Sequence, residues 1–214
     1  MVKYPKIVIK DAWLLRENAS KHLHELWAGP EDKLAEDDWM AEKVKEYQDA
    51  WRPYEQKILK GMCDIYGIEF KQNIIDVYIA PWFSAFSDPL VIGVMYEPDV
   101  FVDTLAHELL HRLFTCNNII SVSERPGVLL KAWKKAVPGR LDDNTRIHIP
   151  VHAGLKELYL DVLRQPMRLD RDIAASASVK EPWMETYKQA WDYVNLHGYK
   201  EINSKVAQLY KDIK

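Results

Sequence analysis

The apolar residues of the chain fall into runs whose character changes several times, and each change predicts an element. From Met40 they recur at Val44, Tyr47, Trp51, Tyr54 and Ile58, in alternating steps of four and three. That is the stripe of an amphipathic helix. Pro53 has no backbone N–H to give to a continuing helix, so a kink or break is expected between Trp51 and Pro53. Gly67 closes this region. Ile74 to Ala80 is β-branched and aromatic and is stopped by Pro81, which predicts a strand. Leu90 to Tyr96 predicts a second strand, with Gly93 marking a place where another backbone comes close. Lys6 to Ile9 reads as a short strand, and Ala12 to Trp27 as a helix ended by Gly29-Pro30. The acidic stretch Glu31 to Asp38 reads as solvated.

Pro98-Asp99 forms a break, a helix is expected from Val100 to Phe114, and Asp99 can cap that helix. Beyond Asn117-Asn118 the pattern predicts a short helix over Val128 to Ala136 and a turn at Pro138-Gly139. Another helix is expected from Pro150 to Arg164, proline suiting its first turn. Helices over Trp183 to Leu196 and Ile202 to Ile213 finish the chain. The fold class is therefore α+β, a small sheet beside the helix 100–114 with a mainly helical C-terminal half. The 214 residues fit a single domain, with an N-terminal lobe over 1–117 and a helical lobe over 118–214.

Composition narrows the function classes. A hydrophobic share of 48% with eight tryptophans is ample for a core and argues against disorder. The net charge of -3, with both signs interspersed, offers no basic field, so no nucleic-acid partner is expected. No apolar run approaches the roughly 20 residues a bilayer requires, so no membrane partner is expected. Met1 to Lys10 lacks the apolar centre and cleavage site of a secretory leader. Cys63 and Cys116 are isolated and read as free thiols. These features together suggest a cytoplasmic protein, and nothing in them speaks to oligomeric state.

The chemistry is concentrated in His107-Glu108-Leu109-Leu110-His111. A helix turns about 100° per residue, so His107 and His111 lie on one face, one turn apart. Two imidazoles so placed can share a tetrahedral Zn²⁺. Glu108 is too far round to be a third ligand, yet it can reach a metal-activated water and act as general base. Val102, Leu105, Ala106, Leu109, Leu110 and Leu113 cover one arc of this helix. Thr104, His107, Glu108, His111 and Arg112 cover the opposite, polar one. His22 and His24 read as exposed helix residues, and His197, before Gly198, as a contact at a helix end.

This motif resembles that of the zincin metallopeptidases. The metzincin continuation is absent, because Phe114 stands at its glycine and Asn117 at its third histidine. Glu157-Leu158-Tyr159-Leu160-Asp161 is similar to the ExxxD of the gluzincins, so the chain resembles a compact gluzincin. That resemblance implies a zincin-like fold holding one Zn²⁺ through His107, His111 and Glu157. Asp161 would hold a ligand histidine, with His107 its expected partner. His148, His152 and Asp161 are rivals to Glu157 as third ligand. His148, His152 and Tyr159 are the oxyanion donors to consider, His152 first. The resemblance also implies that Leu90 to Tyr96 is an edge strand that pairs with an extended peptide, Gly93 permitting the close approach. The expected function is zinc-dependent hydrolysis of a peptide or protein substrate. A non-proteolytic zincin-like sensor or interaction module is the alternative, and a metal-free helical interaction protein is the third reading.

Overall fold

The computed structural model describes residues 4–17, 37–81, 83–121, 127–178 and 182–213. Residues 13–17 are helical; the rest of the helix expected over 12–27, His22, His24, and the acidic stretch up to residue 36 lie outside the described residues. The chain divides into two compact units. One is made of Pro5–Glu55 and Asn73–Glu108, the other chiefly of Gln56–Gln72 and the chain from Leu109 onward. The boundary near residue 117 expected between two consecutive lobes is therefore not where these units part.

The first unit is built on a four-stranded sheet of order β1-β2-β4-β3. β1 (Lys6–Asp11) lies parallel to β2 (Ile74–Ala80), which lies parallel to β4 (Leu90–Gly93). β3 (Phe86–Ser87), a strand with no sequence signal of its own, closes the far side antiparallel to β4. Parallel strands are covered on both faces and read as continuous apolar runs, and all four residues of β4 are buried. β4 has a neighbour on each side, so the edge position expected for it belongs to β3 instead. Gly93 has a reason internal to the chain: a Cβ there would stand 2.3 Å from the Phe83 carbonyl oxygen. The close approach expected at Gly93 is thus made by the chain's own neighbouring backbone.

α1 (Asp37–Trp51) buries Met40, Tyr47 and Trp51 of the stripe seen in the sequence. Pro53 lies just past its end, as the missing donor requires, and α2 (Glu55–Tyr66) begins two residues later. Arg16, 2% exposed, binds Asp11 at 3.0 Å and Asp37 at 2.5 Å, tying the end of β1 to the start of α1. Tyr47 fixes the path out of β4. Its hydroxyl lies 2.9 Å from the Val94 carbonyl and 2.8 Å from that of Tyr96. Its ring stacks on Phe101 with centroids 4.0 Å apart. Phe101 belongs to α3 (Pro98–Thr115), so the start of the motif helix is held by packing and hydrogen bonding together.

The second unit is helical. It contains α2, the later part of α3, α4 (Val128–Ala136), α5 (Asp143–Glu157), a π-helical turn over Leu158–Val162, α6 (Pro166–Ser178), α7 (Pro182–His197) and α8 (Tyr199–Ile213). At its centre the Tyr66 hydroxyl sits 2.8 Å from both the Pro150 carbonyl and Asn203 Oδ1. Asn203 Nδ2 in turn donates to Ala153 O at 3.0 Å and to Glu157 Oε2 at 2.8 Å. Gly154 is needed here, because a Cβ would meet the Tyr66 hydroxyl at 2.5 Å.

The beginning of α5 differs from the expectation in a way that matters for the site. Pro150 does not start the helix; it is buried inside it. The start is Asp142, whose side chain accepts the Thr145 amide at 2.9 Å, an N-cap. Arg146, 5% exposed, reinforces it by donating to the carbonyls of Val137 (3.2 Å), Gly139 (2.8 Å) and Leu141 (3.0 Å). That fastens the preceding turn, in which Gly139 takes a φ of 122°. The internal proline removes one i→i−4 bond, and burial in the helical unit outweighs the loss. No helix among the described residues is long and apolar enough to cross a membrane.

Candidate metal centre

α3 carries His107, Glu108 and His111, and its polar arc is not a wet surface. Asp103 is 7% exposed, His107 8% and Glu108 6%. Chance histidines on a solvated helix would stay in water, where their polar atoms are satisfied at no cost. Here His107 is withdrawn from it along with the apolar arc of Val102, Leu105, Leu109 and Leu113, and His111 is half-buried.

In the helical unit, His111 meets His148 of α5, with ring centroids 4.9 Å apart and planes at 83°. His107 stands one turn back on the same unbroken helix. One ligand nitrogen from each of His107, His111 and His148 lies within 4.8 Å of the others. His148 Nδ1 lies 2.8 Å from the Asn144 carbonyl. A carbonyl only accepts, so Nδ1 carries the proton and the Nε2 lone pair is left for a metal. Anchoring of a ligand imidazole by its other nitrogen is the usual way such a ring is oriented.

The electrostatics of the group suit a cation. Burial pushes His111 down to about 3, reinforced by His148. It pushes His148 down to about 4, against the pull of the Asn144 carbonyl and Asp142. Both rings are therefore neutral at pH 7, the form that ligates. Burial raises Glu108 to about 8. A carboxylate in that position is costly unless a positive charge stands nearby, and a divalent ion on the adjacent histidines would supply one. Comparison of the chain with models of protein families, with curated proteins and with solved structures found no match. The arrangement of side chains is thus the basis for reading function.

The other residues singled out from the sequence stand elsewhere. Glu157, at the end of α5, accepts the Asn203 amide and is not in the histidine group. Asp161 lies in the π-helical turn, 3.1 Å from the Tyr199 hydroxyl and 3.2 Å from Lys200 Nζ, an exposed ion pair. His152 is fully buried, stacked on Trp191 with centroids 4.4 Å apart and 5.8 Å from His148. It packs beside the ring of His148. Tyr159 is likewise fully buried. Tyr187 of α7 carries no sequence signal: its half-buried ring lies 4.1 Å from that of His148.

These shifts give the metal-free protein a defined pH dependence. His111 and His148 have folded-state values below the ordinary 6.5. Their contribution to stability is present above 6.5 and is lost as pH falls through about 4 and 3. Glu108 behaves oppositely, because its folded value of about 8 exceeds 4.5. Its contribution is full below 4.5 and is lost as pH rises through 8, at up to about 1.4 kcal/mol per pH unit. Urea unfolding of chelator-treated Glu108→Gln and wild-type protein should therefore give curves that diverge from pH 5 to pH 8.5, with the variant gaining. Parallel stability profiles would show that Glu108 is not a desolvated carboxyl.

Proposed function

We propose that the protein is a zinc-dependent peptidase whose metal is held by His107, His111 and His148. The observation that carries this reading is the convergence of those three imidazoles on the helix turn that also carries Glu108. Three histidines that leave a fourth position open are a known catalytic zinc set. When bound, zinc supplies a Lewis acid that polarises a carbonyl and acidifies water. His148 is held through Nδ1 by the Asn144 carbonyl, so Nε2 is the nitrogen that would bind the metal. Glu108, one residue from His107, takes the proton of the attacking water and passes it to the leaving amine. Its desolvation keeps its proton affinity high enough for that exchange. Tyr187, half-buried beside His148, offers a phenol to the developing oxyanion, a role His152 is too enclosed to fill. His152 supports the ring of His148 from behind.

Peptide bonds are proposed as the substrate on the likeness of His107–His111 to the zincin motif. The test is incubation of zinc-loaded protein with a degenerate peptide library, with mass-spectrometric mapping of new termini. Cleavage is expected, abolished by a chelator and restored by zinc. Stoichiometric zinc with no cleavage across the library would overturn hydrolysis in favour of a metal-binding interaction module.

A further inference from the structure

α4 and α8 present two matching stripes to the same open groove. On α4 it is lined by Val128, Lys131, Ala132, Lys135 and Ala136, and on α8 by Lys205, Gln208, Leu209, Asp212 and Ile213. Both sets run i, i+3, i+4, i+7, i+8, the face a helix gives to a packing partner. α4 has a separate inward face, on which Leu129 and Trp133 are buried. Among the described residues its outward stripe is thus surplus to the core of its own unit. The groove has a volume of about 660 Å³. α4 is nine residues long, so the groove extends about 13 Å along the helix, room for two turns of an occupant. Ala132 and Ala136 form a floor of small side chains that allows a helix to approach closely.

The rim is basic. Lys131 and Lys135 are exposed, one turn apart on the same side, and neither has an anionic partner among the described residues. Lys134, on another face, pairs with Asp143, and Lys205 pairs with Glu201. Asp212, the one acidic group on the rim among the described residues, accepts the Gln208 amide. Surface lysines alone signify little. Two uncompensated ones at helical spacing above an apolar floor define a complement: acidic residues four apart on a helix whose other side is apolar.

The geometry points to this groove as a docking site for an acidic amphipathic helix of a partner protein. It is a recognition site separate from the histidine group and independent of whether that group is catalytic. A fluorescent two-turn probe of leucine and glutamate, glutamates four residues apart, should bind saturably in the micromolar range by anisotropy. The same probe with lysines for glutamates should bind at least about tenfold more weakly. K131E/K135E, a pair of surface changes, should invert that preference. Ala132→Trp should fill the floor and weaken both probes about tenfold or more. Equal binding of the two probes, or no inversion in the double variant, would overturn the proposal. So would displacement of the acidic probe by dodecanoate at low micromolar concentration, which would make the groove a small-amphiphile site. Concentration-dependent dimers abolished by Ala132→Trp would overturn it in favour of a second copy.

Discussion

Replacing His148 by Ala will lower zinc affinity by more than about 100-fold, whereas Glu157→Gln will leave it unchanged. Loss of a group that merely orients a metal ligand costs about 10–100-fold, and removal of a ligand should exceed that. One ring nitrogen of His148 lies within 4.8 Å of a ring nitrogen of His107 and of His111, and with Nδ1 fixed on the Asn144 carbonyl the lone pair of Nε2 is the one free to bind. Glu157 is occupied by Asn203, and glutamine preserves an oxygen there to accept that bond. Competition with a chromophoric chelator reads the affinities directly. Thermal melting of the metal-free proteins separates loss of a ligand from loss of the fold, since His148 is 5% exposed and its truncation leaves a space. If Glu157→Gln releases zinc and His148→Ala does not, the gluzincin-like ligand set would be restored.

Glu108→Gln will keep zinc and lose turnover by about 10²–10⁴-fold, the range a positioned general base contributes. Glutamine matches the carboxylate in size but cannot take a proton, so the metal and the neighbouring packing are preserved while proton transfer stops. The effect should fall on kcat, with KM changed little, because Glu108 acts on the reacting water and is not assigned to substrate binding. Glu108→Asp should recover part of the rate at most, its carboxyl being withdrawn by one methylene. A variant that loses zinc and turnover together would place Glu108 among the groups that hold the metal. Full activity in Glu108→Gln would remove it from the chemistry.

The local pattern makes much of this fold legible. The stripe through Tyr47 and Trp51, the strand Ile74–Ala80 and the helix Val128–Ala136 all arise from period and stop signals that act within a few residues. Tertiary context sets the rest. β3 is two residues long and exists only because β4 is beside it. Gly93 announces a close approach but not by what, and the answer, the Phe83 carbonyl, is ten residues away. Pro150 reads as a helix start because that is its commonest place, while Asp142-Asp143-Asn144-Thr145 is the cap. That displacement bears on the proposed ligand set. With the helix starting at Pro150, His148 falls in the loop before it. With the helix starting at Asp143, His148 comes one turn after Asn144, whose carbonyl holds it. The division of the chain is also hidden from a linear reading, because each unit is assembled from segments that are not consecutive.

We propose that one zinc ion is held by His107, His111 and His148. Anomalous diffraction at the zinc edge, from crystals of the full chain soaked with zinc, tests it most directly. One strong peak is expected about 2.0–2.1 Å from a ring nitrogen of each of the three histidines, Nε2 in the case of His148. A peak bonded to Glu157 in place of His148, or no peak at the His107–His111 turn, would contradict it.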